Sequence, residues 1–292
     1  MVSRASRRAR SRRPRTRPAH RPRGGTVRRF GRWGRRLARS ARRSIRALRA
    51  APPAVRIGGF AVVFLAAWAT ANAAYQTIRK PTELFFPVSG ALAKRPSETW
   101  RSYGPLFDEH STAVITPAFL AALAQVEGSG NPVARTYWRW RPALNPFRVY
   151  EPASSAVGMY QITDATFSEA KRYCIHDHVA VEDGPWLDWS SCWFNGLYSR
   201  VVPSHAIEMT SALLDRRVAD MVGRHRIAGA TRERRQDLAA VIHLCGPGVG
   251  DAYARRGFRP APRQRCGDHD IVAYLARVNA MKQRFAHLSS SE

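Results

Sequence analysis

Glu127 is the acidic residue of this sequence that is best placed for proton transfer. It ends an apolar run that opens with a threonine and a proline, which is a typical helix start, and Gly128 and Gly130 follow it as typical helix ends. The helical period puts Glu127 on the face of Leu120 and Leu123. An apolar face and the negative end of the helix dipole both disfavour an ionised carboxylate, as a general acid requires. A solvated glutamate at a helix end is the alternative.

Four short blocks of sequence, one of which contains Glu127, occur in a suggestive order. They are VEGSGNP at 126–132, AVGMYQIT at 156–163, IHLCGPG at 242–248 and YLARV at 274–278. They resemble the signature blocks of the soluble lytic transglycosylase family: Glu-Ser-x-x-Asn-Pro, Gly-Leu-Met-Gln, Ala-Tyr-Asn-Ala-Gly-Pro-Gly and Tyr-Val-x-x-Val. The likeness covers about residues 110–287. Each block is weak singly, whereas four in order are fairly specific.

The resemblance implies a mainly α, lysozyme-like domain that cleaves peptidoglycan glycan strands. Glu127 would protonate the oxygen between N-acetylmuramic acid and N-acetylglucosamine, and the sugar would close on itself as an anhydro product. Tyr274 would hydrogen-bond near Glu127, and neither a metal nor a cofactor would be required. The positions that the blocks imply for substrate binding are Ser129, Gly158, Met159, Tyr160, Gln161 and His243.

The sequence departs from the family pattern at three places, and these departures keep two alternatives open. Gly128 replaces the serine after the glutamate, Met159-Tyr160 replaces Leu-Met, and His243-Leu244 replaces Tyr-Asn. Loss of the asparagine amide favours a glycan-binding scaffold module without turnover. A lysozyme-type hydrolase would instead use a second carboxylate beside Glu127. The candidates for that carboxylate are Glu151, Asp164 and Asp183.

An insertion at 135–155 separates the first two blocks and mixes aromatic residues with arginines. Aromatic faces suit sugar rings, and arginines suit carboxylates on lactyl or peptide groups. We therefore expect Trp138, Trp140 and Tyr150 to contact peptidoglycan at a lip of the groove. Packing of these aromatics onto the domain is the alternative.

The charge of the chain is concentrated at its N-terminus. Of the formal net charge of +27, residues 1–56 contribute 21 arginines and no acidic residue. Such a segment has little apolar surface to offset the entropy of ordering, so we expect a disordered basic tail. Because an apolar segment follows, anionic lipid is favoured over nucleic acid as the partner of the tail.

Residues 57–78 carry no charge and are long enough to cross a bilayer core of ~30 Å. Arginines crowd the N-terminal flank, so the positive-inside rule predicts a single-pass inner-membrane anchor with a cytoplasmic tail and a periplasmic C-terminal domain. A cleaved export signal is the alternative, since Ala71-Asn72-Ala73 is an acceptable cleavage site and Arg42-Arg43 faintly suggests a twin-arginine signal. Anchoring would limit cutting to local sites, as an envelope-spanning secretion or assembly machine needs.

The remainder divides into a stalk at 79–110, with one short helix around 95–107, and a catalytic domain at 111–288. All four cysteines lie after the apolar segment, as expected for an exported domain with two disulfides. The pairs Cys174–Cys192 and Cys245–Cys266 close the shortest loops and are predicted. No C-x-x-C or H-x-x-x-H spacing supports a zinc site.

Overall fold

The computed structural model describes residues 51–185, 187–188 and 191–291, with the side chain of Phe86 outside the description. Most of the predicted basic tail, residues 1–50, therefore lies outside the described residues. The chain divides into two units, one ending at Trp68 and the other running from Ala69 to the C-terminus.

Helix α1 (Pro53–Arg79) contains the predicted membrane segment and extends it by a few residues at the N-terminal end. Proline at its first position supplies a backbone already set for a helix. Its most apolar window has a mean hydropathy of 1.7 and is exposed along its length. The helix is thus long and apolar enough to serve as a single-pass membrane anchor.

The unit that begins at Ala69 is mainly helical, and its core is built from helices distant in sequence. Helix α9 packs along α4, α8 along α7, and α3 against α4. Buried side chains from α3, α4, α6, α7 and α9 form one continuous apolar cluster. The helices of this unit, in chain order, are α2 (Phe86–Ser89), α3 (Pro96–Glu109), α4 (Pro117–Gly128), α5 (Asp164–Ala170), α6 (Pro203–Arg224), α7 (Arg232–Cys245), α8 (Pro247–Arg255) and α9 (Ile271–Ser290).

Three short antiparallel hairpins decorate this helical unit. They pair β1 (Trp138–Trp140) with β2 (Tyr150–Pro152), β3 (Tyr173–His176) with β4 (Val179–Glu182), and β5 (Arg265–Cys266) with β6 (His269–Asp270). The first lies in the 135–155 insertion, with Trp138 opposite Pro152 and Trp140 opposite Tyr150. The sequence shows no long alternating series because each of these strands has only two to four residues.

The predicted stalk at 79–110 is instead part of the folded domain. A helix was expected around 95–107, and α3 occupies Pro96–Glu109. However, its residues Trp100, Tyr103 and Phe107 are buried in the main core. The segment before α3 is fixed as well, since the Asn131 side-chain amide donates to the Ser89 carbonyl at 2.5 Å. The domain boundary therefore lies near Ala69 rather than Ser111.

Both predicted disulfides are present. Cys174 is bonded to Cys192 and Cys245 to Cys266, across 18 and 21 residues. The first fixes the β3–β4 hairpin to the loop after it. The second ties the end of α7 to β5, just before α9 begins.

Candidate functional site

Glu127 lies in the last turn of α4, and its side chain is 16% exposed. Thr116 precedes the helix in an extended conformation, and Pro117 occupies its first position, as the sequence predicted. Ser129 then ends the helix in the left-handed conformation, with φ of 51°. Leu120 and Leu123, on the face that Glu127 shares, are fully buried. The side chain of Glu127 is thus mostly buried, on the face of α4 that packs into the core.

Tyr274 reaches Glu127 from the opposite end of the domain sequence. Its hydroxyl donates to Glu127 Oε1 at 2.5 Å, joining α4 to the first turns of α9. Asp270 fixes the start of α9 by accepting from the Ala273 backbone N–H at 2.9 Å. Burial raises the pKa of the Tyr274 phenol well above its ordinary value, and the nearby Glu127 charge and hydrogen bond add to this. Tyr274 is therefore a permanent donor at any working pH.

His243 is the third polar side chain at this point. It projects from α7 and places its Nε2 3.9 Å from Glu127 Oε1. The ring of Tyr160 meets the His243 ring edge-on, with centroids 6.4 Å apart. Tyr274 and His243 thus both approach the Glu127 carboxylate, and the three residues belong to three of the four sequence blocks.

The turn at 158–161 is held against the end of α4 by glycine backbones. A Cβ on Gly128 would lie 2.8 Å from both the Cα and the carbonyl oxygen of Met159, so only glycine permits this approach. Gly158 has φ of +83°, and a Cβ there would lie 2.4 Å from the Arg200 carbonyl oxygen. The departure from the family's serine at Gly128 therefore has a steric reason.

The side chains of this turn point into the protein more than the sequence suggested. Met159 and Tyr160 are fully buried, and the Tyr160 hydroxyl donates to the Leu120 carbonyl at 3.2 Å. Gln161 donates its amide to the carbonyls of Ala134 and Gly158, at 3.2 and 2.9 Å. The expectation that the side chains of Met159 and Tyr160 line a site is thus corrected to a role in packing behind Glu127.

A cavity of about 380 Å³ opens beside this group of residues. Gln161 and His243 contribute to its wall, together with Leu244, and an Arg217–Glu169 ion pair borders it. Leu244 stands where the family has asparagine, so this stretch of wall is apolar. The cavity is lined by both polar and apolar side chains, and neither Glu127 nor Tyr274 is among them.

The aromatic residues of the insertion lie elsewhere. None of Trp138, Trp140 and Tyr150 lines the cavity beside His243. Trp138 donates its indole N–H to Glu83 at 2.9 Å. Tyr150 contacts both tryptophans, tilted against Trp138 and stacked on Trp140, with centroids 5.2 and 4.5 Å away. The hairpin is therefore built onto the segment that follows α1. Ser129, the remaining expected binding residue, is exposed, and its carbonyl accepts from the Lys94 backbone N–H.

The three candidate second carboxylates are all engaged away from Glu127. Glu151 pairs with Arg141 and Asp164 with Arg200, whereas Asp183 accepts from the Ser191 hydroxyl at 2.6 Å. In the described part of the chain, none of the three forms a hydrogen bond or an ion pair with Glu127, Tyr274 or His243.

A row of polar residues at the end of α1 was missed by the sequence reasoning. Asn72 and Gln76 are almost fully buried and donate to the carbonyls of Tyr150 and Phe147, at 2.8 and 2.6 Å. Lys80 continues the row and donates to the Ser154 and Ala156 carbonyls. The sequence already contained this signal: Asn72 and Gln76, at i and i+4, share one helix face inside an otherwise apolar segment.

Comparison of the chain with protein-family models, curated proteins and solved structures found no match.

Proposed function

We propose that this protein is a membrane-anchored peptidoglycan lytic transglycosylase in which Glu127 is the only catalytic carboxylate. The observation that carries the proposal is the hydrogen bond from Tyr274 to Glu127, which unites two of the sequence blocks across 147 residues of chain. Local sequence does not create such a pair. The turn packed against Gly128 supports the same site. The nearby cavity reaches it only through His243 and Gln161, since neither Glu127 nor Tyr274 lines that cavity.

The first half of the reaction uses Glu127 as an acid. Its proton passes to the oxygen between N-acetylmuramic acid and N-acetylglucosamine, and the bond from that oxygen to C1 of the muramic sugar breaks. The acetamido oxygen of the same sugar stabilises the positive charge on C1. Because the substrate supplies this group, no second carboxylate is needed, which fits the engagement of Glu151, Asp164 and Asp183 elsewhere.

The second half uses Glu127 as a base. The carboxylate takes the proton of the C6 hydroxyl, O6 bonds to C1, and an anhydro ring closes without entry of water. The Tyr274 hydroxyl donates to the carboxylate throughout and so favours the charged state between the two steps. Glu127 ends the cycle protonated, as it began.

The membrane part of the proposal rests on α1. The helix would anchor the domain in the inner membrane with the C-terminal unit on the periplasmic side, as the flanking charges favour. Retention of the helix is supported by Asn72, which a cut after Ala73 would remove from its contact with Tyr150. Tethering would confine cutting to glycan strands near an envelope machine.

The test is product analysis with the full-length protein in detergent, incubated with isolated sacculi. We expect anhydro-ended muropeptides by mass spectrometry, and none from Glu127→Gln. Glu109→Gln is the matched control, because Glu109 is an exposed glutamate at a helix end. Fragments with reducing ends would show a hydrolase, and binding of sacculi without any fragment would show a glycan-binding module; either result overturns the proposal.

A further inference from the structure

A second cavity lies at the C-terminal end of α1, and its lining is strongly basic. Its volume is about 270 Å³, and it shares no lining residue with the cavity beside His243. Its lining residues include six cations and two carboxylates, Glu151 and Asp164, which leaves an excess of four positive charges among them. Those six are Arg79, Lys80, Arg139, Arg141, Arg148 and Arg200.

The ion pairs inside this cavity do not neutralise it. Glu151 is shared between Arg141 and Arg148, at 3.2 and 3.3 Å, and Asp164 is taken by Arg200 at 2.8 Å. Arg79 and Arg139 have no carboxylate partner among the described residues. Two guanidinium groups thus remain to bind an anion, and a guanidinium fork matches the oxygens of a phosphate.

Lys80, the one lysine among the lining residues, is held by neighbouring protein groups. Its side chain lies in the wall of the cavity. The ammonium nitrogen is 3.2 Å from a carboxylate oxygen of Glu83 and donates to the Ser154 and Ala156 carbonyls. Burial lowers the pKa of Lys80 even though Glu83 raises it, and the charge of Arg200 lowers it further. Lys80 is therefore already engaged by protein groups, and the arginines remain as the groups available to an anion.

The position of the cavity on the chain indicates which anion. Arg79 is both a lining residue and the last residue of the apolar helix α1. The hairpin that supplies Arg139, Arg141 and Arg148 also exposes Trp140, which is 66% accessible, and Tyr137. Exposed aromatic residues beside arginines are typical of the boundary between lipid tails and headgroups.

We propose that this cavity binds the phosphate of an anionic phospholipid at the membrane surface where α1 emerges. The proposal rests on the proposed anchor but not on the proposed reaction. The aromatic residues of the 135–155 insertion then lie against lipid instead of glycan, and the bound headgroup fixes the domain's orientation on the membrane. A basic cavity next to a membrane helix is a recognised way to hold acidic headgroups.

The test is native mass spectrometry of the full-length protein in detergent, titrated with phosphatidylglycerol or phosphatidylcholine. We expect saturable binding of phosphatidylglycerol, at least 10-fold weaker in the Arg79→Gln/Arg139→Gln double variant. Neither arginine forms an ion pair with any residue that the structure describes, so the fold should persist, which a thermal unfolding curve checks. The matched control is Arg42→Gln/Arg43→Gln, which removes the same charge from the N-terminal tail and should leave the affinity within twofold.

Equal weakening in the two double variants would mean general attraction to positive charge and would overturn the site, as would weakening in neither. Displacement of the lipid by an equal concentration of inorganic phosphate would assign the site to the free ion and also overturn the proposal. The proposal would also be overturned if the protein bound a muropeptide but not phosphatidylglycerol, and if the cavity variant abolished that binding. Glu127→Gln should bind the lipid like the wild type, so an inactive enzyme would not decide this question.

Discussion

The Tyr274 hydroxyl is the group on which the proposed use of Glu127 as acid and then base depends most directly. We expect Tyr274→Phe to lower kcat by about 10- to 150-fold, because a hydrogen bond to a charged group contributes about 1.5–3 kcal/mol. KM should change little, since the phenol touches the acid and not the sugar. Steady-state release of anhydro-muropeptides measures both constants.

Tyr253→Phe is the matched control for that substitution. Tyr253 is also buried, burial raises the pKa of its phenol to about 12, and its hydroxyl forms no hydrogen bond within the described residues. Its loss should leave kcat unchanged. An equal fall in kcat for both variants would assign the effect of Tyr274 to packing.

The glycine after Glu127 is the second residue whose role can be tested. Gly128→Ser would restore the residue typical of the resembled family, yet we expect it to destabilise the domain by roughly 1–3 kcal/mol. The reason is the 2.8 Å distance from the new Cβ to the Met159 backbone, which cannot move as a side-chain tip can. Urea unfolding measures the change in free energy.

Gly223→Ser provides the comparison, because Gly223 lies in the last turn of α6 and a Cβ there meets nothing within 4 Å. This variant should be neutral or slightly stabilising, since glycine is a poor helix former. If Gly128→Ser matched it in stability, the close approach of α4 to the 158–161 turn would be refuted.

At the scale of helices and hairpins, comparing the two disulfides distinguishes an effect on stability from an effect on activity. Replacing Cys245 and Cys266 by serine should lower stability by about 2–4 kcal/mol, and replacing Cys174 and Cys192 by a similar amount, because the loops are similar in length. Only the Cys245–Cys266 disulfide ties α7, which carries His243, to the segment that leads into α9, which carries Tyr274. We therefore expect kcat to fall only in the Cys245/Cys266 variant, measured well below both unfolding temperatures. Equal activity in the two variants would contradict this role.

The elements show how far sequence patterns carry a structural prediction. Helix α4 was predictable from Thr116, Pro117 and the apolar period, and the disulfides from loop length. From the sequence pattern alone, a helix that begins at Thr163 would run to about Cys174. Helix α5 instead ends at Ala170, because Tyr173–His176 pairs with Val179–Glu182 as a hairpin. Pairing with a neighbouring strand overrode the local helical tendency.

The prediction of a stalk at 79–110 failed for the same reason, because contacts with distant parts of the chain decided the structure. Proline, glycine and charge suggested a stalk, whereas Trp100, Tyr103 and Phe107 acquire their role only when α4 and α9 supply a surface to bury them. The contact between Glu127 and Tyr274 could be predicted from the sequence only through the family resemblance, since no local pattern links residues that lie 147 positions apart. By contrast, the i, i+4 spacing of Asn72 and Gln76 was readable and marked a helix face that packs on protein.

At the scale of the whole molecule, α1 has two different environments along its length. Up to Trp68 its apolar side chains are largely exposed, whereas Asn72, Gln76 and Tyr75 contact the insertion hairpin. The end of the helix, from Ala69 to Arg79, is thus a structural part of the C-terminal unit. An export signal that was simply removed would take part of this contact with it.

Chains that begin at residues 69, 74 and 80 test this coupling. The second corresponds to cleavage after Ala73 and lacks the Asn72 hydrogen bond; the third also lacks the Gln76 hydrogen bond and the Tyr75–Phe147 stack. Each lost bond leaves a partly buried carbonyl unpaired, so we expect stability to fall by about 1–3 kcal/mol per step from 69 to 80. Urea unfolding gives the free energies, and hydrogen exchange should accelerate in 135–155 before it does in α4 or α9. Identical stability and exchange in all three chains would show that the domain begins after α1 and that the contacts of Asn72 and Gln76 are dispensable.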